Sequence, residues 1–269
     1  MDSAVMKQTG TEAFAQKRGI SGSTLKIIAI IAMLIDHIGA VILERILINA
    51  GMFTVITSGD TNAIMQFYTE NAGLLTLYTV MRQFIGRLGF PIFCFLLVEG
   101  FLHTRNVTKY AVRLGIFALI SEVPFDFAFA GKPFYFGYQN VFFTLFIGLL
   151  VMLAYQAIAE KMKAHVAVKV LLYIASFGAG ALFAAFLRTD YGAIGIMCIM
   201  ALYIFRKNKV FQIIAGCAAF LWEITAPLAF IPIGFYNGKK GLKMKYFFYA
   251  FYPLHLLVLY LIAYFCGLA

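Results

Sequence analysis

Apolar residues run along this chain in long blocks divided by short polar stretches. A membrane-crossing helix needs about 20 apolar residues. Blocks of that order stand at 25–48, 82–102, 110–130, 141–159, 167–187, 190–205, 210–236 and 246–267. A spanning β-barrel strand alternates apolar and polar positions over about ten residues. These blocks are apolar on both parities, as lipid-embedded helices are. The pattern predicts an all-α, polytopic helix bundle in one transmembrane domain, 24–269, preceded by a polar cytoplasmic tail, 1–23. The first block is too long for the apolar core of a signal peptide and lacks a small-residue cleavage site, so it reads as a retained anchor. Residues 49–80, including TVITSGDTN, read as an outer loop with a surface helix.

Lysine and arginine orient the bundle, because cytoplasmic loops carry them in excess. Lys7, Lys17, Arg18 and Lys26 mark the N-terminal segment. Arg105, Lys109 and Arg113, then Lys161, Lys163 and Lys169, then Arg206, Lys207 and Lys209 mark the alternate loops. The intervening loops are poor in both: 49–80 has none, 131–139 only Lys132, and 188–190 only Arg188. This alternation predicts an inner-membrane protein with its N-terminus in the cytoplasm. The lysine-rich loop NGKKGLKMK (237–245) would fall outside if 210–236 crossed once. Splitting that block near Trp222–Glu223 returns the loop to the cytoplasm. The expectation is therefore nine membrane segments, two of them short, over eight. Short, broken segments are tolerated where they line a cavity or pack in protein.

Composition agrees with the pattern. Residues are 62% hydrophobic, 17% aromatic and only 13% charged, against about 25% charged in a soluble domain. Disordered, collagenous, coiled-coil and disulfide-scaffold classes are excluded. The net charge of +10 sits in loop clusters and does not predict a nucleic-acid partner. Cys94, Cys198, Cys217 and Cys266 lie in apolar runs without paired spacing and read as small buried hydrophobes. No metal is expected.

The chemistry lies in ionisable residues inside the apolar blocks: Asp36, His37, Arg82, Arg87, Glu99, Glu122, Asp126, Glu223 and His255. Each costs roughly 2.5–3.5 kcal/mol at a helix centre. One or two such residues fasten helices together; so many point to a polar intramembrane cavity. Asp36 and His37 lie about 16 Å into the first helix, at 1.5 Å per residue. An imidazole there suits a general base, or a helix-packing contact. His255 reaches a similar depth in the last helix, so the two histidines either meet or are strangers. Arg87, between glycines in GRLGFP, needs an acid, with Asp36, Glu122 and Asp126 as candidates. Glu122 and Asp126 in SEVPFD stand at i and i+4 and repel, so one is protonated or both share an arginine. Glu99 and His103 read as a helix-end pair. Asn140 is either a helix cap or a substrate-binding amide. NGKKG and TRNVTKYAVR are weak anion-binding signals. No Walker loop, dinucleotide fingerprint, zinc helix motif or nucleophile elbow is present.

Several segments carry a family resemblance: LKIIAIIAMLIDHIGAVIL (25–43), IGRLGFPIFCFLLVEGFLHTRNVTKYAVRL (85–114), SEVPFDFAF (121–129), QNVFFTLFIGLL (139–150), DYGAIGI (190–196), YNGKKG (236–241) and FYPLHLL (251–257). In that order the sequence resembles the TraX family of integral membrane proteins, whose namesake N-acetylates a conjugative pilin. It is also similar, more widely, to acyltransferase-3-type membrane acyltransferases, which take acyl groups from cytoplasmic acyl-CoA. In those, an Arg and a His ten intervening residues apart mark the first helix. Lys26 and His37 stand at that spacing here, with Lys in place of Arg.

The resemblance implies acetyl-CoA as donor and His37 as catalytic base. The acceptor is left as a pilin-like peptide amine or a glycan hydroxyl. With it, the reaction is assigned to His37, Asp36, His255, Glu122, Asp126 and Arg87. Donor phosphates are assigned to Lys26, Arg105, Lys109, Asn237, Lys239 and Lys240, and the acceptor to Asn140, Arg82 and Asp190. Asp36 or another carboxylate is expected to orient the imidazole. An ion-coupled transporter and a non-catalytic assembly protein are the rival classes.

Overall fold

The computed structural model describes residues 19–163, 165–242 and 245–268. Lys7, Lys17 and Arg18 lie outside these residues, as does Lys243. Among the described residues there is no strand; the chain is a helix bundle.

Helix α1, Gly22–Asn49, is capped by Ser21, whose side chain accepts from the Thr24 amide. It continues through a π-helical turn at Gly39–Leu43, just after Asp36 and His37. Short helices α2 (Met52–Ser58) and α3 (Thr61–Glu70) follow, the second capped by Asp60. Helix α4, Ala72–His103, begins ten residues before the block predicted at 82–102. It carries a π segment at Val80–Ile85, around Arg82, and a 3-10 turn at Gly86–Leu88, around Arg87. Such irregular turns inside long helices occur frequently at functional sites.

Helices α5 (Val107–Ala130), α6 (Val141–Lys161), α7 (Val166–Phe186), α8 (Gly192–Ile204) and α9 (Lys209–Ala219) complete the middle of the chain. The block 210–236 is not one helix. It breaks after α9 and resumes as a 3-10 turn (Ala226–Ala229) and α10 (Phe230–Gly234). The last helix, α11, is Lys245–Phe265. By length and composition α1, α4, α6, α7 and most of α11 are apolar enough to cross a membrane, and α8 and α9 are shorter apolar helices. Helix α5 is as long but carries Lys109, Arg113, Glu122 and Asp126. The chain is a membrane protein of helices. In α7 none of the spanning window is buried inside the protein, and Leu171, Leu182 and Phe186 on it are widely exposed. Lipid, not water, is the medium that tolerates such a surface.

Helix α11 packs along α5, α5 on α6, α6 on α7 and α8, and α1 on the second half of α4. The main core lies between α4, α6, α8 and the 226–233 segment, with Ile92, Leu149, Ile196, Ile199 and Ile233 inaccessible or nearly so. A smaller core of Val41, Phe125, Tyr252, Leu256 and Leu259 joins α1, α5 and α11.

Backbone hydrogen bonds fix which loops share an end. The Ile20, Gly22 and Ser23 amides donate to the carbonyls of Phe235, Lys239 and Lys240 at 2.9, 2.8 and 2.9 Å. Lys209 Nζ donates to the Gly234 and Tyr236 carbonyls at 2.6 and 2.9 Å. The start of α1 and the 206–209 and 236–241 segments therefore meet at one end. At the other, Gln139 N donates to Arg188 O at 3.0 Å, and Arg45 reaches the Ala128 carbonyl at 2.8 Å.

Candidate functional site

A hydrogen bond between two histidines joins the first and last spanning helices. His255 Nδ1 lies 2.8 Å from the Phe251 carbonyl oxygen. A carbonyl can only accept, so Nδ1 carries hydrogen and the Nε2 of the neutral ring is a bare acceptor. His37 Nδ1 lies 2.6 Å from that Nε2, and is therefore the donor. The neutral His37 ring keeps its own Nε2 unprotonated. The two rings lie within 4° of parallel, and Phe129 and Tyr252 stand edge-on to His37 with centroids 5.5 and 6.1 Å away. A hydrogen-bonded pair of imidazoles inside an aromatic frame holds one tautomer and one orientation.

The expected role of Asp36 changes. Its carboxylate does not orient His37; Oδ2 accepts from Arg82 at 2.7 Å. Neighbours on a helix diverge by about 100°, so Asp36 faces α4 while His37 faces α11. Gly86 makes that approach possible, since a Cβ there would collide with the Asp36 carboxylate. Gly39 does the same for Arg82, whose Cγ would stand 3.0 Å from an added Cβ.

Arg87 pairs with none of Asp36, Glu122 or Asp126. Its partner is Glu223, at 2.9 Å, in the break after α9. The sequence shows both residues as buried charges, but no local spacing couples them. The irregular turns of α4 and the broken 210–236 block bring them together, and the Thr225 hydroxyl donates to the Gln83 carbonyl of the π segment beside them.

Asp36, His37, Arg82, Arg87, Tyr138, Asp190, Trp222 and Glu223 line one cavity of about 490 Å³. Tyr138 donates its hydroxyl to Asp190. Burial lifts the Asp190 carboxyl to about 6; the Tyr138 bond holds it down and Asp36 adds to the rise. Within this cavity Asp36 Oδ1, Glu223 Oε2 and Arg82 Nε are buried without a hydrogen-bond partner among the described residues. Buried polar atoms left so are costly; Glu122 Oε1 and Asp126 Oδ1, outside this cavity, stand the same way.

Glu122, Asp126 and Asn140 do not line the cavity. They form a separate knot that fastens the 131–140 loop to α5. Asp126 accepts from the Tyr135 amide at 2.7 Å. Glu122 accepts from the Asn140 side chain and from its amide, the latter at 3.3 Å. Asn140 is also the N-cap of α6, accepting from Phe142 N at 3.0 Å. The two carboxylates share no arginine; each is held by amides of the loop. Glu99 and His103 do stand as a helix-end pair, at 3.8 Å.

A second cleft, of about 600 Å³, opens at the end where α1 begins. It is lined by Lys26, Glu99, His103, Arg113 and Lys240 and by the apolar Leu96, Leu97, Leu114, Phe142 and Leu145. In the sequence Arg113 stands out as a topology signal and as the end of the weak anion-binding stretch TRNVTKYAVR. It lies between the Tyr110 and Tyr249 rings, 5.5 Å from each centroid, and donates to the Tyr249 hydroxyl at 3.3 Å. Lys26 stands 5.2 Å from the Phe248 ring centre. Arg105, Lys109 and Lys239 are exposed and do not line the cleft. Asn237 braces its loop, donating to Gly19 O and accepting from Lys239 N at 3.0 Å each. Met33, Phe93, Val141 and Tyr252 line both the cleft and the cavity, so the two stand back to back.

Comparison with known proteins gives two findings. A family model described as TraX protein matches residues 21–263. The probable fimbrial assembly protein FimC, serogroup H1, of Dichelobacter nodosus is 29% identical over 270 residues, covering 89% of this chain and 94% of that protein. No solved structure matches.

Proposed function

The chain belongs to the TraX family, and from that premise we propose that it is a membrane-embedded acetyltransferase. It moves an acetyl group from cytoplasmic acetyl-CoA to an amine or hydroxyl on a pilin-like peptide or a glycan. The fimbrial name of the Dichelobacter relative favours an acceptor that belongs to a surface fibre. The observation that carries the reading is the juxtaposition of a basic cleft, a thin apolar partition and a tautomer-fixed His37 in a charged cavity.

In this account the basic ends face the cytoplasm of an inner membrane, with the N-terminus there. Lys26, Arg113 and Lys240 hold the phosphates of CoA at the cleft mouth, where charge-assisted contacts are strong. From Lys26 to His37 is about 16 Å along α1, a distance suited to an extended phosphopantetheine arm. The acceptor occupies the cavity beside Asp36, Arg82, Arg87 and Glu223. His37 Nε2 takes the proton of the acceptor N–H or O–H as that atom attacks the thioester carbonyl. The new carbon–nitrogen or carbon–oxygen bond forms, the carbon–sulfur bond breaks, and the imidazolium returns the proton to the thiolate to give CoA. His255 keeps His37 in the productive tautomer and shares the positive charge while it lasts. A positioned base contributes roughly 10²–10⁴ in rate; holding donor and acceptor together supplies the larger part.

Purified protein in detergent should release free thiol from acetyl-CoA when an amine or hydroxyl acceptor is added. Solute accumulation in proteoliposomes with no thiol release would instead assign the cavity to transport. Absence of both would leave the ion pairs as fasteners of an assembly protein.

A further inference from the structure

The partition between cleft and cavity has a chemical consequence if an acyl group must cross it. Each of four helices contributes one side chain: Met33 from α1, Phe93 from α4, Val141 from α6 and Tyr252 from α11. Met33 lies one turn before His37 on the same face. Tyr252 lies three residues before His255, its ring 6.1 Å from that of His37 and 5.7 Å from that of His255. Only 3% of Tyr252 is exposed, and Phe142 packs edge-on against it at 4.9 Å. Val141 is the first residue of α6, pinned by the Asn140 cap. The ring is thus built from residues fixed by their own packing.

Resting on the acetyltransferase reading above, we infer that Met33, Phe93, Val141 and Tyr252 set the length of the acyl group this chain transfers. The thioester carbonyl must stand beside His37, on the far side of the ring from the phosphates. Every further methylene has to pass between these side chains or fold back against them. Beyond the ring the cavity wall mixes Asp36, Arg82, Arg87 and Glu223 with Phe90, Phe125 and Phe129, so a tail that passes the ring lies among charged as well as aromatic side chains. An extra methylene that finds no room changes kcat/KM by about 10–200-fold in enzymes that select on size. The partition therefore restricts the donor to the shortest acyl groups.

The test is kcat/KM for acetyl-, propionyl-, butyryl- and hexanoyl-CoA, read by thiol release from full-length protein in detergent. Wild type should fall at least tenfold between acetyl and butyryl donors. Phe93→Ala and Met33→Ala should raise the butyryl-to-acetyl ratio at least tenfold. Phe93→Leu should give a smaller rise and serves where the alanine variant does not stay folded by thermal melting. A flat wild-type profile overturns the inference, as does a folded variant that turns over acetyl-CoA with an unchanged ratio. Thiol release from no acyl donor at all removes the acetyltransferase reading itself, and the inference with it.

Discussion

Replacing His255 by alanine isolates the part of the site that no catalytic contact with substrate explains. The side chain removed is the acceptor for His37 Nδ1–H at 2.6 Å. His37 then keeps a donor with no partner between the Phe129 and Tyr252 rings. Leaving a buried donor unsatisfied costs about 1–3 kcal/mol. The ring escapes that cost by moving its hydrogen to Nε2 or by turning, and either change removes the base. At about 1.4 kcal/mol per factor of ten, kcat should drop roughly 5- to 150-fold. The KM for acetyl-CoA should stay near that of wild type, because His255 lines neither the cleft nor its mouth. His255→Gln presents an amide oxygen to the same donor and should recover part of the loss. The assay is steady-state thiol release on protein shown to be folded by its melting profile. A His255→Ala enzyme within twofold of wild-type kcat refutes the tautomer argument. Equal losses for alanine and glutamine would place the His255 ring in the proton transfer instead.

Three further outcomes follow from other contacts. Glu223→Gln removes the ion-pair partner of Arg87, whose side chain is 21% exposed, so the loss should fall below the roughly 3–5 kcal/mol of a fully buried pair; detergent melting should show a measurable drop, and Arg87→Met combined with Glu223→Gln should restore part of it. Lys26→Ala with Arg113→Ala and Lys240→Ala should weaken CoA binding measured by calorimetry, and wild-type binding should itself weaken with salt, whereas Lys109→Ala with Arg105→Ala should leave it unchanged. Asp190 titrates at about 6 in the folded protein and near 4 when unfolded, so the folded state binds more protons between those values and loses stability as pH rises through that window; Asp190→Asn should flatten melting temperature against pH there, and an unchanged curve contradicts the assignment.

The long apolar helices were legible because lipid imposes a strict rule on backbone and composition, but the start of α4 was not: residues 72–80, read as part of an outer loop, are its first turns. The positive-inside rule pointed to a break in 210–236 through the four lysines of 237–245; the helix does stop at Ala219, and the 236–241 segment returns to the start of α1. The depth count along two helices brought His37 and His255 to one level, but whether they touch depends on the rotation of α11, which one sequence does not reveal. The Arg87 partner was beyond reach for the same reason. Glu223 lies 136 positions away, since 223 minus 87 is 136, in a segment whose course follows from packing. The π turns at Gly39–Leu43 and Val80–Ile85 have no composition signal, yet they lie beside Asp36, His37 and Arg82. Loop lysines drew attention to Lys239 and Lys109, whereas Arg113, almost two turns inside α5, is the one held between two tyrosine rings at the cleft.

Transfer of label tests the central claim most directly. Wild-type protein and His37→Ala, both shown by calorimetry to bind CoA, are incubated with isotopically labelled acetyl-CoA and a panel of pilin-like peptides and glycans, and the acceptors are weighed by mass spectrometry. The account predicts labelled acetyl on at least one acceptor with wild type and none above background with His37→Ala. Label transferred equally by both proteins, or by neither while CoA is bound, contradicts it.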